Sequence, residues 1–310
     1  MTLLYYAPVF LEHDTGNHPE SAARILPTIR HLNQVAMHST CLRPSWSEVS
    51  NDRLERVHSA RYIQSVKEFA EQGGGYIEED TAICSQSNRV ARMAASAVCD
   101  AVEKVVSGND TQAFCLVRPP GHHALTNAAM GFCLFNNVAI GARLAIDELG
   151  LDRVLIVDWD VHHGNGTQAA FWEDEQVGFL SIHRSPFYPG TGAADEIGSG
   201  PGIGTTLNLP VKYGTPRLEY LAMFAASVER FAESIRPQLI LISAGFDAHR
   251  EDPFGSLGLE SEDFGVLTRI VLEVAGTYAN GRVVSVLEGG YNPAALRESV
   301  EHHLHEILSI

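Results

Sequence analysis

The chain has 310 residues, 45% hydrophobic and 19% charged, which is the balance of a globular protein with room for a large core. Its 22 basic and 38 acidic residues give a formal charge of −16, which argues against non-specific nucleic-acid binding and leaves cationic partners as the ones its field would attract. No apolar run approaches the roughly 20 residues of a membrane span.

The first residues, MTLLYYAPVFLEHD, lack a basic n-region and carry Pro8 and Glu12 too early for a signal sequence. Residues 3–7 read as a short strand. His18-Pro19-Glu20-Ser21 precedes a helical pattern with Ile25, Leu26, Ile29 and Leu32 at helical spacing. A second helix is expected over 60–71, closed by Gly73-Gly74-Gly75. A longer one is expected over 87–107, with Ser87 able to cap it and Gly108 ending it. From there strand and helix alternate. Strands are expected at 114–117, 154–157, 177–182, 206–209, 239–242 and 283–287, and helices over most of 132–149, then 216–235, 261–279 and 293–308. A glycine-rich loop spans 188–204. Buried, non-alternating strands separated by helices predict an α/β fold, a three-layer α/β/α architecture on a mainly parallel sheet. No linker or repeat divides it, so 1–310 reads as a single domain. Cys41, Cys84, Cys99, Cys115 and Cys133 form no CxxC pair, which fits buried, reduced thiols and a cytoplasmic protein.

Four of the strands run into unusual chemistry. FCLV leads to Arg118-Pro119-Pro120-Gly121-His122-His123, and RVLIV to Asp158, Asp160, His162 and His163. LILIS leads to Ala244-Gly245-Phe246-Asp247, and VVSVL to Glu288-Gly289-Gly290-Tyr291. In an open parallel sheet ligands bind at the carboxyl ends of the strands, so these clusters are expected at one rim. Asp158, Asp160 and His162 alternate and would share one side wherever the chain stays extended. Asp160, His162 and Asp247 offer two oxygens and a nitrogen to a divalent metal and leave a position open, the pattern of catalytic zinc. Taken singly, Asp160 could cap a helix, His162 could be a satisfied core residue and Asp247 could bind backbone amides. An amide hydrolase needs a base for the attacking water and an acid for the departing amine, and His122 and His123 suit both tasks. Asp158 and Asn165 are available to orient the rings. Tyr291 on its Gly-Gly turn is a candidate oxyanion donor, although GGY by itself usually marks only a turn.

These residues resemble the zinc-dependent histone deacetylases of the arginase–deacetylase superfamily. The matching stretches are RPPGHHA at 118–124, GFCLFNNVAIGA at 131–142, DWDVHHGNGTQ at 158–168, PGTG at 189–192, SAGFDAHREDPFG at 243–255 and LEGGYN at 287–292, in family order. The resemblance implies Zn2+ on Asp160, His162 and Asp247, with His122 and His123 as the acid–base pair and Tyr291 as the transition-state tyrosine. It implies that Asp158 orients His122 and Asn165 orients His123. Asn165 stands where many members carry a second aspartate and, with LEGGYN, looks like the class II branch. An amide lacks that negative charge, which assigns the proton transfers to His123 and an electrostatic role to His122. His163 is left with a structural role.

The family's narrow acyl-lysine tunnel would take its walls from Phe132 and Tyr188, with Gly131 letting the stem approach. Tyr188 departs from the usual phenylalanine by a hydroxyl. Phe254 occupies a rim position that is usually Leu or Met and lacks the glutamate of polyamine-selective relatives. A monovalent-cation site, for K+, would map to Asp158, Asp160, His162, Ser181 and Ile182, and Arg24 to an internal product channel. The expected substrate is an acylated lysine in a protein or peptide, with an acetylpolyamine or other small acylated amine as the alternative. Neither nucleic acid nor membrane is an expected partner, and homo-oligomers stay open. A ureohydrolase would need a late DxD for a second metal, whereas this chain has Asp247-Ala248-His249. A non-catalytic acyl-lysine binder fits poorly, because each catalytic position is filled by a competent residue. Gly198, Gly200, Gly202 and Gly204 lack the Lys-Ser/Thr of a phosphate loop.

Overall fold

The apolar runs of the sequence become the strands of one sheet in the computed structural model, which describes residues 2–309. The strands are β1 (Leu3–Tyr5), β2 (Gly74–Glu78), β3 (Thr81–Cys84), β4 (Gln112–Cys115), β5 (Val154–Asp158), β6 (Val177–Arg184), β7 (Thr206–Val211), β8 (Leu239–Ala244) and β9 (Val283–Leu287). Seven of them form a sheet in the order β1-β4-β9-β8-β5-β6-β7, with every neighbour parallel. Its central strands are buried throughout, which is why they read as unbroken runs of Val, Leu and Ile.

The helices are α1 (Ile25–Gln34), α2 (Met37–Thr40), α3 (Asn51–Leu54), α4 (Ala60–Glu71), α5 (Ser87–Val106), α6 (Asn137–Asp147), α7 (Asn165–Ala170), α8 (Arg217–Ile235), α9 (Ser261–Tyr278) and α10 (Pro293–Leu308). One group, α5 and α6, packs on β1, β4, β5, β8 and β9. The other is built from α8, α9, α10 and α1, with α8 on β5 and β6 and α10 on β4. This is the expected three-layer α/β/α arrangement. Among the described residues all five cysteines are free; four are buried, and Cys84 is only half-buried.

Three local expectations are corrected. The turn from 131 to 136 is not helix: Gly131 and Phe132 have φ of 54° and 70°, and α6 starts only where Asn136 caps the Ala139 amide at 3.1 Å. Ser87 does not cap α5. Its hydroxyl instead accepts from the Cys84 amide at 2.7 Å and meets His13 Nδ1 at 2.7 Å. Only Gly73 closes α4, while Gly74 and Gly75 open the antiparallel β2–β3 hairpin. A Cβ on Gly74 would fall 2.2 Å from the Ile83 carbonyl oxygen, so the hairpin needs glycine there.

Candidate active site

The loops after β4, β5, β8 and β9 meet at the carboxyl end of the sheet, as the parallel order requires. The backbone after β5 does not stay extended, so the expected one-sided alternation of Asp158, Asp160 and His162 does not hold. Asp158 Oδ1 accepts from the Asp160 amide at 3.1 Å, and Asp160 Oδ1 from the His162 amide at 2.9 Å. Two successive Asx turns curl the segment, because short carboxylates bond their own backbone two residues on.

That curl brings Asp160 and His162 to Asp247. One donor atom from each lies within 4.8 Å of the others. His162 Nδ1 is 2.9 Å from Asp160 Oδ1 and 3.2 Å from Asp247 Oδ2, yet one ring nitrogen carries at most one proton. Asp247 Oδ2 is buried without a hydrogen-bond donor. Burial and the adjacent Asp160 charge push the Asp247 carboxyl above its ordinary range. A Cβ on Gly289 would fall 2.1 Å from Asp247 Oδ2, and one on Gly245 would fall 2.1 Å from Asp160 Oδ2, so glycines line the back of the cluster. The other oxygens are held by backbone: Asp160 Oδ2 accepts from Gly289 at 2.9 Å, and Asp247 Oδ1 from Val161 at 2.9 Å. Two oriented carboxylates and an imidazole with an orphaned oxygen fit a divalent cation with mixed oxygen and nitrogen ligands.

His122 and His123 stand beside this cluster, with ring centroids 4.0 Å apart. His122 Nδ1 is 3.0 Å from Asp158 Oδ2, and His123 Nδ1 is 2.7 Å from Asn165 Oδ1, the two pairings expected. Their electrostatics differ. Burial alone would lower His122, but the Asp158 and Asp160 carboxylates outweigh it and hold the ring up at about 10. Burial, with His122 and His162 adding like charge, pushes His123 well below the ordinary value. Glu288 fixes the turn itself, its Oε2 accepting from the Gly121 and His122 amides at 2.7 and 3.2 Å.

Burial raises the Tyr291 phenol well above its ordinary value, so it stays a proton donor. Its backbone amide donates to Asp252 Oδ2 at 2.7 Å, and the Arg24 guanidinium stacks 4.7 Å from its ring centroid. Arg24 also donates to the Gly290 and Glu288 carbonyls, both at 2.6 Å. It therefore braces the Tyr291 turn. Glu20 pairs with Arg24 at 3.1 Å and with Arg118 at 2.6 and 2.7 Å, all within the core. His163 bonds at both ring nitrogens, to Thr191 and Gln168, in keeping with a structural role.

A pocket of about 220 Å³ opens onto these groups, lined by His123, His162 and Tyr291 with Phe132, Phe187, Tyr188, Phe254, Gly131 and Asp80. Phe132, Tyr188 and Phe254 thus stand where the sequence put them. Gly131 lines the pocket, and a Cβ there would also meet His123 Cδ2 at 2.3 Å. Phe187, stacked on His162 at 5.3 Å, and Asp80 were not singled out in the sequence. Phe187 adjoins Tyr188 and was within reach of an aromatic-pair reading, whereas Asp80 gave no signal. The residues named for a monovalent cation lie on or just beyond adjacent strands, Asp158 being the register partner of Ser181 across β5 and β6.

Residues 18–307 match the family described as Histone deacetylase domain. The chain is 39% identical over 314 residues to "Uncharacterized protein slr0245" of Synechocystis, covering 99% of this chain and 100% of that one. It is 40% identical over 246 residues to "Histone deacetylase-like amidohydrolase" of Pseudomonas aeruginosa, covering 79% and 65%. With "Histone deacetylase 14, chloroplastic" of Arabidopsis thaliana it shares 36% identity over 324 residues, covering 99% and 76%. Among solved structures the HDA15 HD domain superposes with a TM-score of 0.92 at 34% identity, covering 99% of this chain and 89% of that one. With a parallel sheet whose loops carry these side chains and a family match over nearly its whole length, the chain belongs to the histone deacetylase family, and its general activity is that of a deacetylase-type amidohydrolase.

Proposed function

We propose that the protein is a zinc-dependent deacetylase that removes acyl groups from the ε-amine of lysine in peptides or proteins. The observation that carries this reading is the narrow aromatic pocket leading to Asp160, His162 and Asp247 beside two histidines of opposite proton affinity. Zinc held by those residues would polarise the acyl carbonyl and lower the pKa of a water molecule.

The chain's own residues supply the rest. His123 donates through Nδ1 to Asn165 Oδ1, which leaves Nε2 free to take a proton from the attacking water and return it to the departing amine. His122, held by Asp158, provides positive charge beside the developing oxyanion. The Tyr291 hydroxyl donates to that oxyanion as it forms. Phe132, Phe187 and Tyr188 exclude water and confine the aliphatic stem. Phe254 at the rim, edge-on to Tyr291 at 5.6 Å, brings no carboxylate of its own to a second amine, although Asp80 lines the same pocket; on Phe254 the reading favours acyl-lysine over an acetylpolyamine.

Purified protein is expected to bind about one zinc ion per chain, to release acetate from an acetyl-lysine peptide faster than from an acetylpolyamine, and to be inhibited by hydroxamates. Asp160→Ala and His162→Ala should lose both metal, by elemental analysis, and turnover. Full activity in either variant would refute the ligand assignment. Tyr291→Phe should keep its metal and lose about 10²–10³-fold in kcat. Turnover of the polyamine alone would redirect the substrate assignment and leave the chemistry standing.

A further inference from the structure

Gly289 and Gly290 give the turn after β9 little stiffness of its own, and Gly290 has a φ of 125°. The place of Tyr291 is therefore set from outside the turn, by Arg24 and, independently, by Asp252. Asp252 is buried and spends both carboxylate oxygens on backbone amides. Its Oδ1 accepts from Phe254 and from Gly255, each at 3.0 Å, which folds the end of its own loop. Its Oδ2 accepts from the Tyr291 amide at 2.7 Å, 39 residues further along the chain. A second tie runs beside the first: the Asn292 side-chain amide donates to the Glu251 carbonyl at 3.0 Å. The loop that Asp252 belongs to starts at Asp247 and closes on it. The Ser256 amide donates to the Asp247 carbonyl at 2.7 Å, and a Cβ on Gly255 would fall 2.2 Å from that same oxygen. One loop thus carries the third residue of the metal cluster, the rim ring of Phe254 and, through Asp252, the backbone of Tyr291.

We propose that Asp252 is a positioning residue for the oxyanion donor: its Oδ2 fixes the backbone of Tyr291 to the loop of Asp247 and so sets the phenol relative to the metal cluster. The role rests on the deacetylase reading for its kinetic readout and on the three amide bonds for its mechanics. The division of labour between the two oxygens makes the isosteric amide informative. Asparagine offers one acceptor oxygen and one NH2 group. With its oxygen towards Phe254 and Gly255 it keeps two of the three bonds and turns an N–H against the N–H of Tyr291. The opposite orientation would lose two bonds to keep one. Asp252→Asn therefore loosens Tyr291 while its own loop stays folded. The oxyanion that Tyr291 serves exists only as the reaction proceeds, so the loss falls on kcat rather than on KM.

The test compares wild type, Asp252→Asn, Tyr291→Phe and the double variant on an acetyl-lysine peptide, with zinc content from elemental analysis and amide exchange from NMR. Asp252→Asn is expected to keep its zinc and its KM and to lose about 10–100-fold in kcat, the order of a displacement of about 1 Å at a reacting group. Its Tyr291 amide should exchange faster than in wild type, while those of Phe254 and Gly255 hold. In the Tyr291→Phe background the same substitution should change kcat by less than about twofold, because the group it acts through is already gone. Loss of zinc, a raised KM with kcat held, a kcat effect that multiplies with Tyr291→Phe, or unchanged exchange at Tyr291 would each overturn the role. Asp252→Ala drops all three bonds and should fall in kcat at least as far; full turnover there would overturn it too. If Tyr291→Phe itself turns over like wild type, it is the oxyanion-donor reading that fails, and exchange at the Tyr291 amide still decides whether Asp252 holds that turn.

Discussion

At the scale of single residues, what the sequence displayed was chemistry concentrated in short motifs. Asp160, His162, Asp247, the His122-His123 pair and Tyr291 were legible because strand ends carrying such side chains must gather at one rim of a parallel sheet. Asp80, Glu20, Arg118 and Asp252 were not, because each acts on residues far away in the chain. Asp80 is 108 positions from Tyr188, and Glu20 is 98 from Arg118. Arg24 was expected at a product channel, and its contacts make it a brace for the Tyr291 turn. Glu20 is the counter-charge that lets two guanidiniums stay buried. Glu20→Ala would leave Arg24 and Arg118 without it and should cost about 3–5 kcal/mol, measured by chemical denaturation. Its effect on kcat should follow that on Tyr291, since the turn loses its support.

At the scale of elements, the strands of the main sheet were read to within two residues at each end, β4 being expected at 114–117 and found at Gln112–Cys115, because a strand covered on both faces leaves no polar alternation to confuse. Boundaries failed where tertiary bonds overruled local preference. The 132–136 segment was read together with the helix that follows it, but Phe132 is held in a left-handed turn through its bond to Thr81. The β2–β3 hairpin went unseen because both of its strands are short and half-exposed, and its glycines also read as a helix stop. Close contact between α5 and α6 gives a separate test. A Cβ on Gly141 would lie 2.8 Å from Val98 Cγ1, so Gly141→Ala should overpack this layer and destabilise by about 1–3 kcal/mol. Activity at low temperature should survive, since α6 lies away from the pocket-lining residues.

At the scale of the whole molecule, buried neutral histidines contribute to the loss of stability in acid. His58 donates from Nδ1 to the Leu125 carbonyl and accepts the Asn136 amide at Nε2, and burial lowers it from 6.5 to about 4. His303, between Thr268 and Ser285, is lowered by burial to about 3. Both folded values lie below the unfolded one, so the unfolded chain binds more protons between pH 6.5 and the folded pKa. Their contribution is therefore whole above pH 6.5 and is lost as pH falls towards 4 and then 3. Each should remove about 1.4 kcal/mol per pH unit within its window, read from urea midpoints at pH 7.5, 6 and 5. His303→Gln should remove the share of this slope that His303 contributes, leaving that of His58 and of the other buried histidines, His163 and His183, which burial also lowers. The strand order has a consequence in time. The last strand in sequence, β9, lies between β4 and β8, so until it is made the sheet exists as two unjoined parts, β1-β4 and β8-β5-β6-β7. Tyr291 follows four residues after its last residue, Leu287. A chain emerging from the ribosome can pair most of its strands early, yet it gains a continuous sheet and the tyrosine proposed as its oxyanion donor in the same late step.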